Sequence, residues 1–124
     1  MQEENKQSLR ESFRNAWQGI AWAFGRERNF RLHIGAALLA FLAAWRLHLN
    51  RWEWAFIILA VFLVLAAELF NTALERVVDL ASQDQYRKLA RVAKDVAAGA
   101  VLLAAIHALV VAILIFGSKI LGID

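Results

Sequence analysis

The run Val96-Ala-Ala-Gly-Ala-Val-Leu-Leu-Ala-Ala-Ile-His-Ala-Leu-Val-Val-Ala-Ile-Leu-Ile-Phe-Gly117 decides the fold class. Its 22 residues carry no formal charge, and as an α-helix they extend about 33 Å against a hydrocarbon core of about 30 Å. A helix of that length and composition predicts a membrane span over 96–117. Further back, Trp54–Ala67 supplies 14 uncharged residues and reaches spanning length by continuing through Glu68, Asn71 and Thr72. That sets another span over 53–75. The remaining span, 32–49, requires His33, Arg46 and His48 to lie near its ends, where long polar side chains reach back to the interface.

Composition agrees with this reading. Of 124 residues, 60% are apolar, against roughly 45–50% in soluble domains even when glycine is counted there. The length suits one domain, 1–124. With Cys 0 and Pro 0, a disulfide framework, a thiolate zinc site and a cysteine nucleophile are excluded, and helices run without proline breaks. A net charge of +3 matters less than its distribution. Lys and Arg number six in residues 1–31, two in 46–53, five in 76–94 and one after the last span. The positive-inside rule then places the N-terminus and the 76–94 loop in the cytoplasm and the C-terminus outside. The N-terminal residues 1–31 lack the apolar run and cleavage site of a removable targeting peptide.

Before the first span, Leu9, Phe13, Ala16, Trp17, Ile20 and Phe24 share one helical face, with Ser8 and Glu11 spaced as a capping box and Gly25 as a helix stop. This predicts an amphipathic surface helix over 8–25 lying on the membrane. Trp17, Trp22, Trp45, Trp52 and Trp54 cluster at the expected boundaries and read as interface anchors. The fold class is therefore all-α integral membrane, with three transmembrane helices and one surface helix.

The chemistry lies on the middle span. Glu68, Asn71, Glu75 and Asp79 are spaced 3, 4 and 4, which confines them to an arc of roughly 80° on one helix face. With Trp54 at the outer interface, Glu68 falls about 21 Å inward. Carboxylates there are costly unless they serve a site or meet cations. Glu68 suits a general base or acid; a polar seam holding helices together, with Arg76, Arg91 or Lys94 as partners, is the plainer alternative. Glu27, just before the first span, adds another hard oxygen ligand suited to Mg²⁺ near phosphate. Arg87, Lys88, Arg91 and Lys94 precede the last span and can neutralise a polyphosphate or simply set topology. The glycines at 19, 25, 35, 99, 117 and 122 write neither a P-loop nor a kinase glycine-rich loop.

The run Glu68-Leu-Phe-Asn-Thr-Ala-Leu-Glu75-Arg-Val-Val-Asp79, followed by Ala93-Lys-Asp-Val-Ala-Ala-Gly-Ala-Val-Leu102, resembles the prokaryotic diacylglycerol kinase and undecaprenol kinase family of small membrane enzymes. Asn29-Phe-Arg-Leu-His33 and Trp52-Glu-Trp54 are closer to the undecaprenol kinase branch, and the resemblance runs from about Phe13 to Phe116. It implies an ATP- and Mg²⁺-dependent kinase for a membrane lipid, undecaprenol first and diacylglycerol as the alternative, in the bacterial cytoplasmic (inner) membrane. Glu68 matches the proton acceptor, and Glu75 and Glu27 match metal and nucleotide ligands. Lys94 and Asp95 match nucleotide contacts, Asn71 and Asp79 polar positions around the same site, and Tyr86 and Arg87 stand in the loop where further nucleotide contacts fall. The resemblance also implies a homotrimer, for which Ala100, Ala104, Ala108 and Ala112 supply a small-residue ladder. The lipid tail is expected among Trp17, Phe24, Phe30 and the first span, and His107 as a buried hydrogen-bonding group. Nucleic acid is not expected as a partner. From another class, a non-enzymatic three-span assembly subunit would use the Glu68 stripe as glue.

Overall fold

A computed structural model describes residues 7–83 and 85–123 as four helices in chain order. These are α1 (Leu9–Arg26), α2 (Arg28–Arg46), α3 (Arg51–Ser82) and α4 (Lys88–Leu121). Both chain termini, whose sidedness the charge map predicts, lie outside the described residues. Two helices, α3 and α4, are long and apolar enough to cross a membrane. The shorter α2 has 19 residues and bears Arg28, Arg31 and Arg46 towards its ends.

Local signals explain the boundaries. Ser8 caps α1 through the predicted box: its hydroxyl accepts from the Glu11 N–H at 3.2 Å, and the Glu11 carboxylate accepts from the Ser8 N–H at 3.1 Å. The helix passes Gly25 and stops at Arg26, because Glu27 leaves helical geometry (φ −105°, ψ 108°) and serves as both the end of α1 and the start of α2. Arg31 then donates to the Phe24 carbonyl at 2.8 Å, satisfying an oxygen freed by the break. At the other end of α2, His48 takes a left-handed conformation (φ 53°). The Leu49 N–H donates to the Ala44 carbonyl at 3.2 Å and the His48 N–H to Trp45 at 3.3 Å, the two bonds of a Schellman stop. That stop ends the helix before Leu49, so α2 is shorter at this end than the expected 32–49. Asn50 and Glu53 form a second capping box that starts α3.

Packing is uneven. Ala44, Leu49 and Ile57 form a buried cluster with Phe41, Trp54, Val111 and Ile115 against it, and Lys119 pairs with Glu53 at 3.0 Å. This "Trp54 end" closes α2, α3 and α4 together. Elsewhere α3 packs chiefly on α4 and α2 on α3, while α1 touches α2 and α3 near its own C-terminus, where Ala23 is buried. Its apolar residues Leu9, Phe13 and Trp17 remain exposed.

Four expectations need correction. The 76–94 segment is not a loop: α3 runs to Ser82 and α4 starts at Lys88, because nothing between breaks either helix until Gln83 turns left-handed (φ 54°). Trp54 packs against Phe41 with ring centroids 6.1 Å apart instead of standing free at an interface, and Arg26 and Arg76 both lie over the Trp22 ring. Phe30 is 2% exposed, so it cannot offer a surface to a lipid tail. His107 is exposed on α4 rather than buried: at about 100° per residue it falls to the flank of the Ala97–Ala104 face that packs beside α3.

Candidate functional site

Glu68 is the best-buried acidic side chain described, 4% exposed on α3. Among the described residues its short-range polar contact is His33 of α2, whose Nε2 lies 3.4 Å from Glu68 Oε1. Glu27 and Glu75 both stand within electrostatic range of the same carboxylate. Three acidic groups expected near one another from the sequence therefore do gather, one from the α1–α2 junction and two from α3.

The one-residue break explains how Glu27 arrives there. Freed from the helix and making no capping bond of its own, its carboxylate accepts from Arg76 Nη2 at 2.9 Å. Arg76 in turn lies over the Trp22 ring at 5.3 Å, with Arg26 over the same ring at 5.2 Å. Cation–π contact and ion pairing thus tie the α1–α2 junction to α3.

One turn beyond Glu68, Asn71 Nδ2 donates to Glu75 Oε1 at 3.2 Å, while Asn71 Oδ1 is buried without a partner among the described residues. A buried acceptor left open costs free energy unless something else fills it. Among the described residues no three His, Asp or Glu side chains stand close enough to cage a metal. The donor set nevertheless fits a hard divalent cation, since Mg²⁺ is commonly held by one or two carboxylates with phosphate oxygens and water completing the shell. Glu75 and Asn71 offer such oxygens directly; Glu27 would have to exchange Arg76.

Further along α3 the stripe meets the cations. Lys94 of α4 pairs with Asp79, and both line a cleft of about 290 Å³ with Ser82, Tyr86, Arg87 and Arg91. Four residues proposed for nucleotide binding, Asp79, Tyr86, Arg87 and Lys94, therefore share one cavity at the turn between α3 and α4. Asp95 is exposed and pairs with Arg91 at 3.5 Å one turn earlier on α4, and it does not line that cleft. The seam reading is thus realised at Asp79–Lys94, whereas Glu68, among the described residues, meets a histidine and no permanent cation.

Two participants were missed as such: His33, read as a polar group near a span end and as part of the Asn29–His33 run but given no role at the site, and Arg76, read only as one cation among several. His33 also lines a separate apolar cleft of about 270 Å³ between α2, α3 and α4, otherwise walled by residues such as Ala36, Ala40, Ile57, Val64 and Leu109. Its place at the end of the Asn29-Phe-Arg-Leu-His33 run, two residues after Arg31 in an otherwise apolar helix, is the signal the sequence offers.

The family model described as prokaryotic diacylglycerol kinase matches residues 14–116. A diacylglycerol kinase of Synechocystis is 51% identical over 100 residues, which is 81% of this chain and 57% of that protein, so the chain spans little over half of that relative's length. The undecaprenol kinase of Bacillus subtilis is 40% identical over 110 residues, 88% of each chain. A diacylglycerol kinase of Escherichia coli K12 is 36% identical over 95 residues, 77% of each. Kinase names on all three leave the non-enzymatic assembly reading without support. The chain belongs to the prokaryotic diacylglycerol kinase family, a family of lipid kinases.

Proposed function

We propose that this chain transfers the γ-phosphoryl group of Mg-ATP to the hydroxyl of a membrane lipid, as a three-span homotrimer in the bacterial inner membrane. One observation carries the reading: a buried Glu68 heads a polar helix face that leads to the Asp79–Lys94 cleft with its added cations. Lipid hydroxyl and nucleotide phosphate can meet only where hydrocarbon gives way to charge, and this stripe crosses that boundary.

In this mechanism Glu68 takes the proton from the acceptor hydroxyl as its oxygen attacks the γ-phosphorus. The bond from that phosphorus to the β–γ bridging oxygen breaks, and ADP leaves. Lys94 and Arg87 offset phosphate charge, Tyr86 and Asp79 shape the cleft, and Asp95 acts from its rim through Arg91. Asn71 orients Glu75, and Glu27 and Glu75 would hold the metal. When bound, Mg²⁺ neutralises the charge developing on the transferred group.

The membrane arrangement rests on several supports. As a helix α2 measures about 28 Å, and its uncharged stretch 34–45 lies between terminal arginines. Three spans with the cation-rich segments inside leave the C-terminus outside. Trimer formation follows the family resemblance; the unpartnered Asn71 Oδ1 and the groove of about 590 Å³ beside it, walled by Phe70, Ala97, Ala100 and Ala104, give a neighbouring subunit a place to pack.

Undecaprenol is the acceptor favoured by the Asn29–His33 and Trp52–Trp54 motifs and by the match to the Bacillus relative over 88% of each chain. Diacylglycerol is the second reading, favoured by 51% identity to the Synechocystis protein. The test reconstitutes the full chain in vesicles with γ-labelled ATP and either lipid. Label in undecaprenyl phosphate, abolished by EDTA and restored by Mg²⁺, is the expected result. Label only in phosphatidic acid exchanges the acceptor; label in neither removes the kinase reading.

A further inference from the structure

We infer that His33 is a positioning residue that sets the Glu68 carboxylate for proton abstraction; the inference rests on the lipid-kinase reading above. Glu68 is nearly sealed, its side chain 5% exposed, whereas His33 is 28% exposed and stands between it and the apolar cleft of α2, α3 and α4. The 3.4 Å separation of His33 Nε2 and Glu68 Oε1 is long for a hydrogen bond but within reach of one after a small rotation, as apo sites commonly show. An Nε2–H donated to Oε1 fixes the plane of the carboxylate and leaves Oε2 free to receive the acceptor's proton.

The residue type fits that task better than a cation would. A lysine or arginine so close would lock Glu68 in a permanent ion pair and oppose its protonation at every turnover. Imidazole donates one directed hydrogen bond without a fixed charge. Asp79, which has no such demand in the mechanism, is paired with Lys94 instead. The contrast between two carboxylates on one helix face separates a base that must take a proton from a cleft-lining acid that need not.

A merely structural His33 would tie α2 to α3 and affect assembly, so the experiment reads kinetics on the assembled, reconstituted chain. His33→Leu is expected to lower kcat by on the order of 10- to 100-fold, the scale of misplacing a reacting group, with KM for ATP within about twofold of the parent. His33→Gln, whose amide N–H can donate from a similar position, is expected to recover most of that loss. If His33→Leu fails to assemble, His33→Met supplies the donor-free side chain. Full activity in a donor-free variant, or a His33→Gln no better than that variant, overturns the inference. Failure of the unsubstituted chain to phosphorylate either lipid overturns the kinase reading itself and is distinguished by that control.

Discussion

The two ends of the helix bundle are built by different physics. At the Trp54 end, Ala44, Leu49, Ile57 and Phe41 close α2, α3 and α4 around apolar contacts, and the Asn50 capping box and the Schellman stop satisfy the backbone locally. At the Lys94 end, Glu27, His33, Glu68, Asn71, Arg76 and Asp79 meet through ion pairs and long polar contacts, and the buried Asn71 Oδ1 has no partner among the described residues. The first end is closed chiefly by apolar contact, with the Lys119–Glu53 pair beside it. The second is held by pairs that an incoming anion or cation can displace, which is what a site for a charged nucleotide requires.

That contrast predicts a separation of activity from stability. Glu68→Gln should reduce phosphoryl transfer on the order of 10³-fold, within the range for loss of a general base, while the purified oligomer survives in size-exclusion chromatography. Loss of the oligomer with modest loss of turnover would reassign Glu68 to glue. Lys94→Met comes next: kcat/KM for ATP should fall by roughly 10- to 100-fold, as when one charge-stabilising donor is removed. Its thermal unfolding should barely move, because a pair whose side chains are 37% and 32% exposed contributes under about 1 kcal/mol.

Substitutions at the Trp54 end should behave in the opposite way. Ile57 is 2% exposed, and Ile57→Ala leaves a cavity. In a bilayer the transfer cost largely cancels, so unfolding measured by detergent titration should lose about 1–2 kcal/mol, below the range for soluble cores. Turnover per folded molecule should stay near the parent value, and a large drop in kcat would show that the ends are coupled. Smallest is Asn50→Ala, which removes a cap accepting two backbone N–H groups at 2.9 and 3.0 Å and should cost about 1 kcal/mol or less.

Helix and stripe were legible because both depend on short-range periodicity. The charge-free run Val96–Gly117, the Ser8–Glu11 box and the single face shared by Glu68, Asn71, Glu75 and Asp79 can be read without knowing what packs where. Segment ends were harder. Arg76, Lys88 and Arg91 looked like loop charge, yet helices continue under them, since Arg and Lys are good helix formers and a charged face outside the apolar region costs nothing. Trp54 and Phe30 were misjudged for the related reason that an aromatic ring suits an interface and a packed core equally well.

The sequence by itself determined that this is a helical membrane protein with an acidic face descending into an apolar span, and it carried the family resemblance on that face. Only the tertiary structure decided that Arg76 takes Glu27 from a position 49 residues earlier, that His33 rather than a cation meets Glu68, and that Asp79, Tyr86, Arg87 and Lys94 line one cleft. The physical reason is that helical period fixes which residues share a face, whereas the rotation and crossing of neighbouring helices fix which face each one meets, and those follow from packing the whole bundle at once.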